Sequence, residues 1–456
     1  MTTKTLTLFH VNDLHSYFDN WPHIVGHVNQ NRDQNTLFID LGDHADRSHL
    51  ITEATEGKGN IELLNEAKVD YATIGNNEGV TFSKKQLEHL YDDATFQVLV
   101  GNLFEQDGST PTWAKPYVIH TMENGLKVGL IGWTAPFSRL YSQLGWRSES
   151  DLEPLYELIK LVREKVDILV LMSHLGLFRD EEIAENVEGI DVILGSHTHD
   201  LLKQGKRMYG TLITQSGKHG HYFGKVLIEY DTKKKQVVSS VSELIEASST
   251  IASKQTSALI ERLNKQSFHT LDETVATLPT DFPVSWQENT EMVQMLCDAL
   301  AQWCNEDIAM LNAGILLESL PAGKVTKGDI HRICPHPINP CVVEMTGKQL
   351  RQAIERSFTK EIRFLQLKGF GFRGKLIGRM IFTGIEVSLD ANEENVLSIK
   401  ILNEPLQETK MYRVATLDMY TFGHLYPSIY EAPNKKYFMP EFLRDILAWK
   451  LGQEWA

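Results

Sequence analysis

Cysteine is scarce in this chain: four residues in 456, Cys297, Cys304, Cys334 and Cys341, and no pair at C-x-x-C spacing. That excludes a disulfide framework and a zinc knuckle, and the four thiols read as reduced residues of a cytoplasmic protein. Long apolar runs are missing as well, since no stretch approaches the ~20 residues of a membrane helix. Met1-Thr-Thr-Lys-Thr passes straight into the alternating segment 6–11, without the apolar core of a signal peptide. No membrane partner is expected. Positive charge is in deficit: 45 Lys and Arg stand against 60 Asp and Glu, for a formal net charge of −15. That balance lacks the basic footprint of a nucleic-acid binder, so no nucleic-acid partner is expected either. What remains is an ordinary globular composition, 42% hydrophobic and 23% charged. The length favours two or three domains.

The first half alternates short β-branched or apolar runs with helical stretches. Strands are predicted at 6–11, 36–39, 71–74, 97–100, 127–133, 168–173, 192–196 and 211–215. Helices are predicted at 61–68, 83–94, 152–165 and 180–187, and this alternation argues for an α/β layered architecture. Segments 225–230 and 236–244 read as a closing antiparallel pair. The stretch 248–265 is then polar and weakly helical, and 289–304 is a strongly amphipathic helix. The expected division is a first domain over 1–245, a linking helix over 246–268 and a second domain over 269–456.

The ligand-type side chains of the first half fall at strand ends. Asn12-Asp13-Leu14-His15 follows the first predicted strand, Leu41-Gly42-Asp43 the second and Gly75-Asn76-Asn77-Glu78 the third. Ser173-His174 and Gly195-Ser196-His197-Thr198-His199 close two later strands. In open α/β sheets ligands bind outside the carboxyl ends of the strands, so five such ends can converge on one edge. Asp, Asn and His without thiolate suit Zn, Mn, Fe, Co or Mg. Asp13, His15, Asp43, Asn76, His174, His197 and His199 exceed what one tetrahedral ion needs. Two ions about 3.5–4 Å apart, sharing a carboxylate, would use them all.

At these residues the sequence resembles the calcineurin-like metallophosphoesterases, and more closely the bacterial 5′-nucleotidase / UDP-sugar hydrolase family. The family pattern is N-D-x-H, G-D, G-N-H-[DE], a lone His and G-H-T-H. In the second half Asn312-Ala313-Gly314, Thr346-Gly347 and Tyr412-Arg413-Val414-Ala415-Thr416 resemble the family's nucleotide-recognition domain. The resemblance implies a layered α/β/β/α metallophosphoesterase domain followed by an α+β substrate domain. It implies one divalent ion on Asp13, His15, Asp43 and His199 and a second on Asp43, Asn76, His174 and His197, with Asp43 bridging. The implied activity is hydrolysis of a nucleotide phosphate ester by metal-activated hydroxide.

Three departures accompany the match. The catalytic His of G-N-H-[DE] is Asn77 here; an amide can donate a hydrogen bond but supplies no proton at neutral pH. His44, next to Asp43, is the nearest candidate to replace it. The family's N-x-G-x-x-R turn ends in Leu317, which leaves Arg373 or Arg351 to meet the substrate phosphate. The family also clamps its base between two aromatic rings, and Phe370 or Phe372 paired with Phe422 is the matching sandwich here; the resemblance also makes Asn312 and Gly314 of the N-x-G turn substrate-binding residues. Two other functions are weighed against the nucleotidase: a phosphodiesterase acting on cyclic nucleotides, UDP-sugars or dinucleotides, and a metal-dependent nucleotide-binding protein whose catalysis has decayed.

Overall fold

The computed structural model describes residues 3–392, 395–423 and 425–456. The chain divides into two compact units, Met1–Ser267 and Phe268–Ala456.

In the first unit we number the sheet strands β1 (Thr3–Val11), β2 (Thr36–Asp40), β3 (Tyr71–Ala72), β4 (Gln97–Leu99), β5 (Ala114–Lys115), β6 (Tyr117–Thr121), β7 (Lys127–Thr134), β8 (Ile168–His174), β9 (Val192–Leu194), β10 (Lys206–Met208), β11 (Thr211–Thr214), β12 (Tyr222–Asp231) and β13 (Gln236–Glu246). They form a seven-stranded sheet, β13-β12-β1-β2-β3-β4-β5, and a six-stranded sheet, β10-β11-β9-β8-β7-β6. β1 to β4 run parallel, as do β7, β8, β9 and β11. The two sheets face one another: Leu6, Leu8, Leu37 and Ile39 share one buried cluster with Val128, Leu130, Val170, Met172, Val192 and Leu194. Each such side chain taken from water contributes ~1.5–3 kcal/mol. Helices Glu153–Arg163 and Leu177–Asn186 cover the outer face of the smaller sheet through Leu155, Ile159, Val162, Ile183 and Ala184. Helix Trp21–Asn31 lies outside the larger one, with Trp21 stacked on Phe38. This is the α/β/β/α layering expected. It also explains why β8 reads as unbroken apolar sequence, because a strand covered on both faces has no solvent side to alternate with.

Several boundaries differ from the sequence expectation: the strand expected at 71–74 is Tyr71–Ala72, the helix expected at 83–94 is Lys84–Leu90, and those expected at 61–68 and 180–187 are Lys58–Glu66 and Leu177–Asn186. β9 is Val192–Leu194, shorter than the 192–196 expected, and the Gly195 N–H makes its last ladder bond, to Thr214 O. The helix expected from residue 248 begins at Lys254, where Ser253 Oγ accepts the Thr256 N–H and caps it.

The second unit is α+β. Its five-stranded sheet runs in the order Met380–Thr383, Ala309–Asn312, Met411–Leu417, Pro340–Thr346, Asn434–Tyr437. Helix Glu291–Cys304 buries Met292, Val293, Leu296 and Leu300, and its Trp303 meets Trp449 of helix Leu443–Trp455 edge-on. Asp418 follows the central strand and is buried. Burial, partly offset by the Asn339 N–H, pushes its carboxyl up to about 8. The folded protein therefore holds a proton that the unfolded chain releases near pH ~4. Stability is full below that pH and falls as pH rises toward the folded value. Asp418→Asn, which does not titrate, is expected to gain on the order of 2–5 kcal/mol over the parent near pH ~8.5 and nothing near pH ~4. Denaturant unfolding at the two pH values checks this.

Candidate metal centre

Five strand-end turns of the first unit meet at one edge. The turn after β1 is zipped to the turn after β2: Asp13 N–H donates to Gly42 O, His15 N–H to Asp43 O and Ser16 N–H to His44 O. Asp13, His15, Asp43, His197 and His199 all have φ between +50° and +75°. Residues with a β-carbon occupy that region at a local cost, and such costs concentrate at functional sites. Gly75 lets the third turn close. A β-carbon there would stand 2.0 Å from Asp43 Oδ1 and 2.5 Å from His174 Cε1.

Two groups of ligand atoms result, Asp13 with His15 and His199, and Asp13 with Asp43 and His174. His199 Nε2 lies 3.4 Å from Asp13 Oδ1, and His15 Nε2 faces His199 Nε2 at 3.2 Å. His174 Nε2 is 3.6 Å from Asp43 Oδ1 and 3.9 Å from Asp13 Oδ1. Asp43 turns its other oxygen to His15 Nε2 at 3.8 Å, so its carboxylate faces both groups. Ligands about 2.0–2.2 Å from one ion stand about 3–4 Å from one another, which is the spacing found. His197 completes the edge with its ring 5.2 Å from that of His174 and its N–H on Asp13 Oδ2.

The donor chemistry fits a cation. Asp13 Oδ1, His174 Nε2 and Asn76 Oδ1 are buried and have no hydrogen-bond partner, a costly condition for polar atoms unless an ion takes them up. His174 Nδ1 donates to Leu41 O at 2.7 Å, leaving the Nε2 lone pair directed at the carboxylates. With protons alone to balance the charge, burial works against a charged His174 but Asp43 and Asp13 outweigh it, raising the imidazole to about 10. Burial likewise opposes ionisation of Asp13, yet His199, His174 and His15 hold its carboxyl well below the usual range.

A surrounding layer aims these groups. Asn12 donates to Asp13 Oδ2 and to Gly217 O, and accepts from Ser216 N–H. Glu78 accepts the N–H groups of Asp43, Ala45 and Gly75, tying the second and third turns together. Asp46 Oδ2 lies 3.6 Å from His15 Nδ1. Asn12 and Glu78 belong to the motifs read from the sequence. Asp46 carried no signal, because its neighbour His15 is thirty-one positions away and only the paired turns bring them together.

Other site residues find different duties. Asn77 is buried, its amide 2.8 Å from His15 Nδ1 and donating to Ala45 O. Its amide therefore lies beside a ligand-type histidine. His44 is buried as well, its ring edge-on to Trp21 at 5.0 Å and beside Asn60, and burial pushes the imidazole down to about 3. In the second unit Asn312 is fully buried, donating to Ile377 O and accepting from Tyr420 OH. Gly314 serves packing, since a β-carbon would fall 1.9 Å from Leu376 O. Phe372 is buried with its ring stacked on His336 at 5.1 Å, so Phe370 is the partner left for a sandwich. Phe370 is 48% exposed, and its ring tip lies 3.3 Å from where a β-carbon of Gly423 would be, next to the half-buried Phe422. Arg373 is half-buried, donating its backbone N–H to His336 Nδ1, while Arg351 pairs with Glu408 and Glu355.

Residues 6–201 match the calcineurin-like phosphoesterase family, and residues 272–425 match the 5′-nucleotidase C-terminal domain. Over 460 residues, spanning 99% of this chain and 100% of the relative, the sequence is 44% identical to an uncharacterized metallophosphoesterase, YunD, of Bacillus subtilis (strain 168). The chain belongs to the calcineurin-like metallophosphoesterases. It is a hydrolase of the 5′-nucleotidase type, and divalent metals serve that family. Two solved structures share the fold over nearly the whole length. The NAD nucleotidase NadN of Haemophilus influenzae is 16% identical with a TM-score of 0.70, covering 100% of this chain and 97% of its own. A 5′-nucleotidase precursor of Thermus thermophilus is 18% identical with a TM-score of 0.61, covering 99% and 97%. Among the described residues no helix is long and apolar enough to cross a membrane.

Proposed function

We propose that this metallophosphoesterase hydrolyses the phosphate ester of a nucleotide with two divalent ions, from among Mn, Zn, Co, Fe and Mg. The ligands are Asp13, His15, Asp43, Asn76, His174, His197 and His199. The observation that carries the reading is the pair of ligand groups around the unpartnered Asp13 Oδ1, spanned by both oxygens of Asp43. Ions held there supply Lewis-acid polarisation of the phosphoryl group and an activated water at neutral pH. The chain's own part is to fix the ligand atoms: Leu41 O orients His174, Asp46 faces Nδ1 of His15 and leaves its Nε2 for the ion, and Glu78 locks the turn that presents Asp43. Phe370 and Phe422 of the second unit take the base, and Arg373 meets its phosphate. Four free, buried thiols support a cytoplasmic location.

The test is phosphate release by stripped protein reloaded with single metals, on 5′-AMP, a cyclic nucleotide and UDP-glucose. Metal-dependent release that prefers 5′-AMP, with about two ions bound per chain, is the expected result. Preference for UDP-glucose or the cyclic nucleotide moves the assignment to a diesterase. Two bound ions with no release from any of them leave a nucleotide-binding protein. Base stacking on an aromatic ring is worth ~1–3 kcal/mol, so Phe370→Ala should raise KM for 5′-AMP by roughly 5- to 150-fold. KM for p-nitrophenyl phosphate, which has no base, should stay unchanged in the same steady-state assay.

A further inference from the structure

The loop after β11 carries a second His-x-His, His219 and His221, that no motif accounts for. It is tied to the metal centre by its backbone. His219 N–H donates to Asp13 O at 2.8 Å, Asn12 holds Ser216 and Gly217, and Asn20 Nδ2 donates to His219 O at 3.1 Å. His219 has φ +59°, so the direction of its ring is held against a local backbone cost. The half-buried ring stands edge-on to His15 at 5.9 Å, with Tyr17 stacked on it at 5.2 Å and 24°. Neighbouring imidazoles are committed: His174 to Leu41 O, His15 to Asn77, His221 to Asn20, and His44 to its packing under Trp21. Among the described residues neither ring nitrogen of His219 has a hydrogen-bond partner.

We propose that His219 is a catalytic residue, donating a ring N–H to a phosphoryl oxygen of the substrate beside the Asp13–His15–His199 group, with Tyr17 as the positioning residue that holds its plane. This rests on the phosphoesterase reading of the site. It supplies from another loop the hydrogen bond that Asn77, spent on His15 and Ala45, cannot. The role is that of a donor only: an imidazole offers an N–H whether neutral or charged, so no proton changes hands. Donors aimed at a developing oxyanion are worth the most, and losing one costs about 10²–10³ in kcat.

Three readouts on the metal-reloaded full-length protein test it: bound metal, affinity for inorganic phosphate, and kcat on p-nitrophenyl phosphate. His219→Ala should keep its metal, weaken phosphate binding about tenfold and lower kcat about 10²-fold. His219→Gln, which keeps an N–H donor, should recover part of both. Tyr17→Ala should lower kcat about tenfold, with Tyr17→Phe restoring it through the same stack. Unchanged phosphate affinity and kcat in His219→Ala overturn the proposal, and so does loss of metal from that variant, which would make His219 a support for the ligands. A parent protein that cleaves p-nitrophenyl phosphate but no nucleotide defeats the nucleotide assignment alone. If the parent cleaves neither, the phosphate-binding comparison still decides for or against His219.

Discussion

Asp43→Asn is expected to lower phosphate release by at least about 10³-fold and to leave the protein short of metal. Asp13 belongs to both ligand groups, and Asp43 reaches from one to the other, with Oδ1 toward His174 and Oδ2 toward His15. The amide keeps the shape and the contact with Asn77 N–H, but it removes the charge and one anionic oxygen. In the stripped protein the change has opposing effects: it removes the attraction that helps to hold His174 up at about 10, and it relieves a repulsion among carboxylates. Asp13, Asp43, Asp40 and Glu78 are all buried in this region, and the Asp43 charge helps to raise the Glu78 carboxyl above its ordinary range, second only to burial. Removing it relieves that repulsion. A ligand that binds only the folded state stabilises it by mass action, so the parent should melt higher when metal is restored. In the variant most of that difference should vanish. Melting curves with and without metal, read beside metal content and phosphate release, separate a damaged site from a damaged fold. Full activity in a folded, metal-loaded Asp43→Asn would remove Asp43 from the centre.

The second large effect comes from a single methyl group. Gly75 has φ −97° and ψ −171°, extended backbone that alanine adopts freely, so Gly75→Ala carries no conformational penalty. Its consequence is purely spatial. The new carbon would stand 2.0 Å from Asp43 Oδ1 and 2.5 Å from His174 Cε1, and one or both must shift by about an ångström. A displacement of that size at a reacting centre costs about 10²-fold in rate, while overpacking costs ~1–3 kcal/mol of stability. The expected outcome is therefore a folded protein with a somewhat lower melting temperature, weakened metal binding and a kcat near one hundredth of the parent's. Wild-type kcat and metal content in Gly75→Ala would show that the turn has slack the structure does not display.

Much of the first unit could be read in advance because its signals are local. β2 and β8 are near-continuous apolar runs ending on Asp40 and His174, and the alternating β1 runs straight into Asn12 and Asp13; a parallel sheet brings such ends to one edge whatever the details between them. The second unit was harder to read. Phe370 and Phe372 are two residues apart in the same glycine-rich stretch, yet one is 48% exposed and the other 3%. That difference is decided by His336, which stacks on Phe372 from a distant segment. Asn312 looked like a substrate residue by its motif. Its amide is consumed by Ile377 O and Tyr420 OH, partners more than sixty positions away.

By itself, then, the sequence determined the class of fold, the strand-end positions of the ligand-type residues and the kind of ion they suit. Periodicity, residue type and strand polarity are properties of short segments. Only the tertiary structure decided which histidine faces which carboxylate and what Asn77 does with its amide. It sealed His44 against Trp21 while bringing His219, more than two hundred residues from Asp13, to the rim of the same site. Those outcomes depend on turns paired across the chain, where hydrogen bonds donated by the Asn12 amide and accepted by the Glu78 carboxylate and Gly42 O close distances that no spacing along the sequence encodes.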